Sequence, residues 1–449
     1  MKWFFSLLVQ TILISLILTS QISTDIQYGL IILTIIANLW LAELLPLSVT
    51  ALLIPVLAVA FNVMDLKAAL VSFAHPIIFL FLGGFALAAA LHEHKIDKHF
   101  AHIIMQKAKS NGLLICLMLF SLTAFLSMWI SNTATTVMML PIALGLMSHL
   151  TYEKHKTVFA FLLLGIAYSA NIGGIATIVG SPPNAIAAST LGLSFYDWLV
   201  IALPISLFLL PLMWAVLYLL LKPNLSLFTS GSSSSSLEAK PFIWDFQSKM
   251  VIVIFTFTAS LWIFGGLIQQ LTGKIPDFDS WVAMIAIIVL HASKSLSWSE
   301  FEKNTQWGVL ILFGGGLALS AILSQTGANL FLAQQLANMS EGLGLYWLLL
   351  AVILFIIFMT EISSNTALSA LMIPTFMGTA EVMGFDKTLI VSAIAIAASC
   401  AFMLPVATPP NAIVFSSGYV PQNTMMKTGL LLNLLFGIII TSYLFFVRL

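Results

Sequence analysis

Charge is what this sequence has least of. Asp, Glu, Lys and Arg together make up 8% of its 449 residues, while 60% are hydrophobic. The mean hydropathy is +1.07. A water-soluble domain needs far more charge to cover its surface, so the composition excludes soluble classes and gives an all-α polytopic membrane protein. Strict apolar–polar alternation is lacking too; the apolar runs are continuous and of helix-spanning length, which excludes a closed β-barrel. The formal net charge is zero, so no bulk field favours nucleic acid. Cysteine occurs at Cys116 and Cys400 alone, both in apolar runs, which reads as packing rather than a disulfide. No Gly-x-Ser-x-Gly elbow and no histidine deep in an apolar run is present, so a membrane-embedded hydrolase has neither nucleophile nor base. Arginine occurs once, at Arg448. Bidentate arginine clamps for an anion are therefore unavailable.

What the chain does have is a set of polar words used twice. Ser-Asn-Thr stands at 131–133 and again at 364–366, and Pro-Pro-Asn follows at 182–184 and at 409–411. Pro141 and Pro374 each lie ten residues after their serine, and Phe81-Leu82-Gly83-Gly84 and Phe313-Gly314-Gly315 precede the two copies at similar distance. Duplicated helix-breaking words inside apolar sequence point to a two-halved transporter with its site between the halves. A single Ser-Asn-Thr would mean no more than polar glue between helices. The glycine pairs read as close helix packing rather than as ligand sites.

Residues 1–26 read as an extra N-terminal transmembrane helix. One lysine followed by an apolar run also fits a signal peptide, but no small-residue cleavage site stands out. Residues 27–221 form the first repeat, 222–247 a cytoplasmic linker containing Gly231-Ser232-Ser233-Ser234-Ser235-Ser236, and 248–449 the second repeat. The apolar pieces beside the repeated words are too short to span singly. Segments 112–148 and 345–380 read as re-entrant hairpins with Ser-Asn-Thr at their tips, and 157–192 and 388–418 as helices broken at Pro-Pro-Asn. Irregular backbone at membrane depth survives only against protein or a wet cavity, so the four breaks should converge. With the N-terminus cytoplasmic, thirteen basic residues fall inside and only Lys67, Lys274, Lys387 and Arg448 outside, which fits positive-inside orientation and an outer C-terminus. Each half then crosses five times, which inverts the second relative to the first. Residues 92–109, with His92, His94, His99 and His102, read as an interfacial segment rather than a metal site, because no carboxylate or thiol cluster completes one. The tryptophans read mainly as membrane-belt anchors, and Glu43 as an interfacial or scaffold residue. Glu361, directly after Thr360, reads either as a support for its hairpin tip or as a proton carrier.

Ser, Asn and Thr supply both oxygen ligands for a hard cation and donors for an anion. Helix C-terminal ends favour a cation and N-terminal ends an anion. Pro-Pro ends one helix, starts the next, and leaves the carbonyls of Gly180 and Ala407 for a ligand. Ser127 and Thr360 stand four residues before their Ser-Asn-Thr, on the same helix face one turn down. Two quasi-equivalent cation sites can be drawn: Ser127, Ser131, Asn132 and Gly180; and Thr360, Ser364, Asn365 and Ala407. Between them Asn132, Thr133, Asn365, Thr366, Thr408 and Pro409 can hold an anion.

The segments MWISNTATTVMMLP, IVGSPPNAI, EISSNTALSALMIP and MLPVATPPNAIVF carry a resemblance to the divalent anion/sodium symporters, the carriers of dicarboxylates, citrate and sulfate that include the INDY proteins. The resemblance runs from Trp40-Leu41-Ala42-Glu43 to the last span. It implies a homodimer of eleven spans per protomer, with a scaffold domain and a transport domain that moves as an elevator, in a bacterial cytoplasmic membrane. It also implies that the tip residues bind sodium, as coupling ion with no further cofactor, and the substrate carboxylates. Ser181 departs from the threonine common before Pro-Pro-Asn, and it keeps the hydroxyl. The reading is a sodium-coupled symporter of C4-dicarboxylates such as succinate, malate or fumarate; a sodium/sulfate symporter, a sodium-independent exchanger or a channel on this scaffold is the alternative.

Overall fold

In lipid no water serves backbone N–H and C=O groups, so apolar sequence of this kind pairs them internally as helices. The structure, a computed structural model, describes residues 2–96, 99, 103, 111–227, 244–340 and 342–448, and every regular element among them is helical. Helix α1 spans Lys2–Thr19. There follow α2 (Thr24–Leu41), α3 (Leu47–Ala60), α4 (Leu66–Val71), α5 (Pro76–Glu93), α6 (Gly112–Ser127), α7 (Asn132–Leu146), α8 (Lys156–Ile175), α9 (Pro182–Leu191) and α10 (Phe195–Leu221). The next run is α11 (Phe246–Ile263), α12 (Gly265–Thr272), α13 (Phe278–Ala292), α14 (Trp298–Asn304), α15 (Trp307–Thr326) and α16 (Ala328–Met339). It ends with α17 (Leu345–Thr360), α18 (Asn365–Met383), α19 (Lys387–Ala398), α20 (Pro409–Ser416) and α21 (Gln422–Arg448).

Packing recurs with the two runs exchanged. Helix α5 lies on α13 as α15 lies on α3; α6 lies on α8 as α17 lies on α19; α10 covers α8 as α21 covers α19. The correspondence reaches single atoms. A Cβ added at Gly83 would come within 2.6 Å of Ala283 Cβ, and one at Gly315 within 2.6 Å of Ala51 Cβ, so both positions require glycine for backbone approach. Trp40 Nε1 donates to Leu47 O at 3.1 Å, and Trp262 Nε1 to Asp279 O at 2.9 Å. Cys116 and Cys400 are buried free thiols.

Eight helices among the described residues are long and apolar enough to cross a membrane by length and composition, while α3, α13, α17 and α19 are shorter apolar helices of 12–16 residues. One sequence expectation changes. Trp40, Trp198 and Trp262 are fully buried core residues whose indole N–H groups bond backbone carbonyls, and not belt anchors. Their apolar bodies fill helix junctions, and the one donor finds a partner there. His102 and the Gly-Ser linker lie outside the described residues. His94 Nε2 sits 2.9 Å from Ser295 O, and the His99 ring packs edge-on against Trp244.

Candidate functional site

Both Ser-Asn-Thr words sit at the point where one helix stops and the next starts. Helix α6 ends at Ser127 and α7 begins at Asn132, with Ser131 as N-cap accepting from Ala134 N at 3.3 Å. Helix α17 ends at Thr360 and α18 begins at Asn365, with Ser364 as N-cap accepting from Ala367 N at 3.5 Å. In each tip the cap serves the third helical N–H. The N–H groups of the Asn and Thr that open the helix have no intrahelical acceptor.

Helices α8 and α9 are separated by residues 176–181, and α19 and α20 by 399–408. The asparagine of each Pro-Pro-Asn is fully buried and turns its amide back into the gap it follows. Asn184 Nδ2 donates to Gly174 O, Ile175 O and Thr177 O at 2.8, 3.1 and 2.7 Å. Asn411 Nδ2 donates to Ala401 O and Leu404 O at 3.0 and 3.1 Å. These two residues satisfy carbonyls that the broken helix cannot, and so hold the gap open at low cost. The two gaps also meet. Asn171 Nδ2 donates to Thr408 Oγ1 at 3.1 Å, and Ser181 Oγ lies 3.4 Å from Ser399 Oγ.

The convergence produces one cavity of about 690 Å³. Ser131, Asn132, Thr133 and Gly180 line it with Ser364, Asn365, Thr366, Ala407, Thr408 and Pro409. Every residue of the expected cation and anion sets is among them except Ser127 and Thr360, which are fully buried. Each of those hydroxyls donates to an equivalent carbonyl: Ser127 Oγ to Ala170 O at 2.8 Å, and Thr360 Oγ1 to Ala398 O at 3.2 Å. The lining also includes Glu43, Leu47 and Ser48 at or just before the start of α3, and Gln306, Gly308, Val309 and Leu312 at the start of α15. Among the described lining residues none is basic, and Glu43, exposed and with φ +50°, is the one charge.

One end of the Asn132 amide lies 2.6 Å from Ser127 Oγ and 3.2 Å from each of the carbonyl oxygens of Ala170 and Gly180. All three neighbours carry oxygen lone pairs. Such a cluster is served by the amide NH2, which donates, or by the amide oxygen together with a cation. Gly174 makes the placement possible, because a Cβ there would come within 2.4 Å of this amide. Thr408 Oγ1 accepts from both Asn411 N (3.3 Å) and Asn171 Nδ2 (3.1 Å), so its lone pairs are engaged and its proton is left to donate. The tips therefore present N–H and O–H donors, while the gaps present carbonyl oxygens.

Sequence reasoning missed Asn184, Asn411, Asn171, Ala170 and Ala398. Of these only Asn184 and Asn411 gave any signal, since both follow Pro-Pro. Glu361, read from sequence as either a tip support or a proton carrier, makes hydrogen bonds that fit the support reading. Its carboxylate accepts from Phe402 N (2.8 Å), Met403 N (2.9 Å), Leu404 N (2.9 Å) and Asn433 Nδ2 (2.7 Å). Glu43, read from sequence as interfacial or scaffold, lies in the cavity wall.

Residues 28–395 match the family model described as citrate transporter. An uncharacterized transporter of Haemophilus influenzae is 49% identical over 94% of this chain and 92% of its own length. The sodium-dependent dicarboxylate transporter SdcS of Staphylococcus saprophyticus is 32% identical over 92% of this chain and 84% of its own. Among solved structures, the Alcanivorax borkumensis YdaH transporter superposes with a TM-score of 0.56 at 15% identity, covering 85% of this chain and 87% of that one, a likeness of fold.

Proposed function

This chain belongs to the citrate transporter family of integral membrane carriers, not enzymes, and from that premise we propose that it is a sodium-coupled symporter of C4-dicarboxylates. The observation that carries the reading is the single cavity in which two donor-rich tips face carbonyl-rich gaps with no basic side chain among the described lining residues. A dianion there meets tip N–H groups, the Asn132 and Asn365 amides and the hydroxyls of Thr133, Thr366 and Thr408. Its remaining charge has to be met by cations bound alongside. Two cations fit by donor chemistry: one at Ser127, Ser131, Asn132 and Gly180 with Ala170 O added, one at Thr360, Ser364, Asn365 and Ala407 with Ala398 O added. These sets are oxygen-only and carry no carboxylate among their ligands, which suits sodium rather than a proton. The sodium dependence in the name of the staphylococcal relative is in line with this.

Reciprocal packing of the two helix runs supports inverted repeats, with 112–148 and 345–380 as re-entrant hairpins. The hairpins and broken helices then form the transport domain, and α3, α5, α13 and α15 part of the scaffold, in an eleven-span protomer of a homodimer. With the N-terminus cytoplasmic, Glu43, Ser48 and Gln306 stand at the inner ends of their helices, so the cavity faces the cytoplasm. Transport moves the tips past the scaffold wall as an elevator. Purified protein in liposomes tests the coupling. Succinate uptake is expected to require an inward sodium gradient and to rise with sodium at more than first order. Full uptake in choline buffer with a proton gradient would overturn it.

A further inference from the structure

Among the described residues Glu361 is the only acidic side chain that is buried. Four N–H groups, three of them from consecutive residues 402–404, surround its two oxygens at 2.7–2.9 Å. That donor set, four N–H groups on two oxygens, suits a carboxylate anion. No lysine, arginine or histidine among the described residues pairs with it. Hydrogen bonds satisfy the lone pairs, yet a net negative charge stays inside the protein, where it is costly without a counter-charge. The neighbouring residue Thr360 belongs to the second cation set. Its hydroxyl bonds Ala398 O, four residues before the first N–H that Glu361 grips. The first half has no such charge: the equivalent position is Met128, whose carbonyl accepts from the Thr177 hydroxyl. So two sites alike in ligands differ in charge.

Building on the sodium coupling proposed above, we infer that Glu361 is a positioning residue whose buried charge makes the second-half sodium site the tighter one, filled first. The carboxylate does not touch the ion; it fixes the 402–404 backbone against the hairpin tip and supplies the field. A sodium ion arriving at Thr360 and Asn365 neutralises it and sets the tip for the dianion.

Thermal unfolding of the purified full-length protein, titrated with sodium chloride at constant ionic strength against choline chloride, reads this without transport. Wild type is expected to stabilise with sodium. E361Q keeps the shape and most of the hydrogen bonds and removes the charge. Its sodium midpoint is expected to rise at least about ten-fold, the scale of one unit charge a helical turn away at an effective dielectric of about 20. E361D, which keeps the charge and spoils the hydrogen bonds, is expected to bind sodium more tightly than E361Q. An unchanged midpoint in E361Q, or E361D weaker than E361Q, overturns the inference in favour of a hydrogen-bonding strut. Site order is checked apart from Glu361: T360A should remove the low-concentration part of the sodium response, and S127A the high-concentration part. The reverse order also overturns it. Should wild type show no sodium-dependent shift while S127A and T360A unfold as it does, the sodium reading itself falls, and this inference with it.

Discussion

In the proposed reading Asn132 and Asn365 do two jobs at once, which makes them its most exposed points: each amide offers an oxygen to a cation and, with its backbone N–H, donors to the anion. Asn132→Ala and Asn365→Ala should each lower the initial rate at least about 100-fold, since losing contacts to charged groups costs about 1.5–3 kcal/mol each. Both variants should keep wild-type assembly and unfolding temperature without sodium, checked by size-exclusion chromatography and a thermal melt. Thr408 separates donor from shape. With its lone pairs engaged by Asn411 N and Asn171 Nδ2, only its proton faces a ligand. Thr408→Val should raise the KM for succinate about ten-fold or more and Thr408→Ser should not; equal KM values would mean the hydroxyl points elsewhere. Asn184 and Asn411 are different. Asn411→Ala strands the buried carbonyls of Ala401 and Leu404, a loss on the order of 1–3 kcal/mol for each orphaned group. It should therefore melt several degrees lower with or without sodium.

At the level of elements, the helix breaks were legible because their turn chemistry is local. Ser-Asn-Thr caps a helix and Pro-Pro opens one, and neither depends on distant partners. Positions 131 and 364 are indeed N-caps, and the gaps fall at Pro-Pro-Asn. What stayed illegible depends on which backbone a side chain meets. Nothing in sequence tells that the Glu361 carboxylate reaches residues 402–404, or that Trp40, Trp198 and Trp262 turn inward. The scaffold wall was equally hidden, because Ser48 and Gln306 have no repeated word around them. Glu43 in that wall repels a dianion across solvent. Glu43→Gln should therefore lower the succinate KM a few-fold at low ionic strength and lose that advantage in high salt, where screening falls to about 3 Å at 1 M. A salt-independent change would show that Glu43 acts by contact rather than by field.

For the whole molecule, the claim is that one cavity takes cation and anion together because neither can be neutralised there alone. Composition already points this way: with a single arginine in the chain, at 448, a dianion would have to be met by other means. Two helix runs packed reciprocally bring four helix starts and two carbonyl-bearing gaps to one place. Linkage is then obligatory and symmetric, so sodium raises dianion affinity by the factor by which the dianion raises sodium affinity. Monocarboxylates, which match one tip only, should bind weakly in either buffer. The most direct test is calorimetry on the purified protein, titrating succinate in sodium chloride and again in choline chloride. The account predicts binding in sodium and a loss of at least about ten-fold in affinity without it, each ten-fold being about 1.4 kcal/mol of coupling. Equal succinate affinity in the two buffers would contradict it and leave a sodium-independent exchanger.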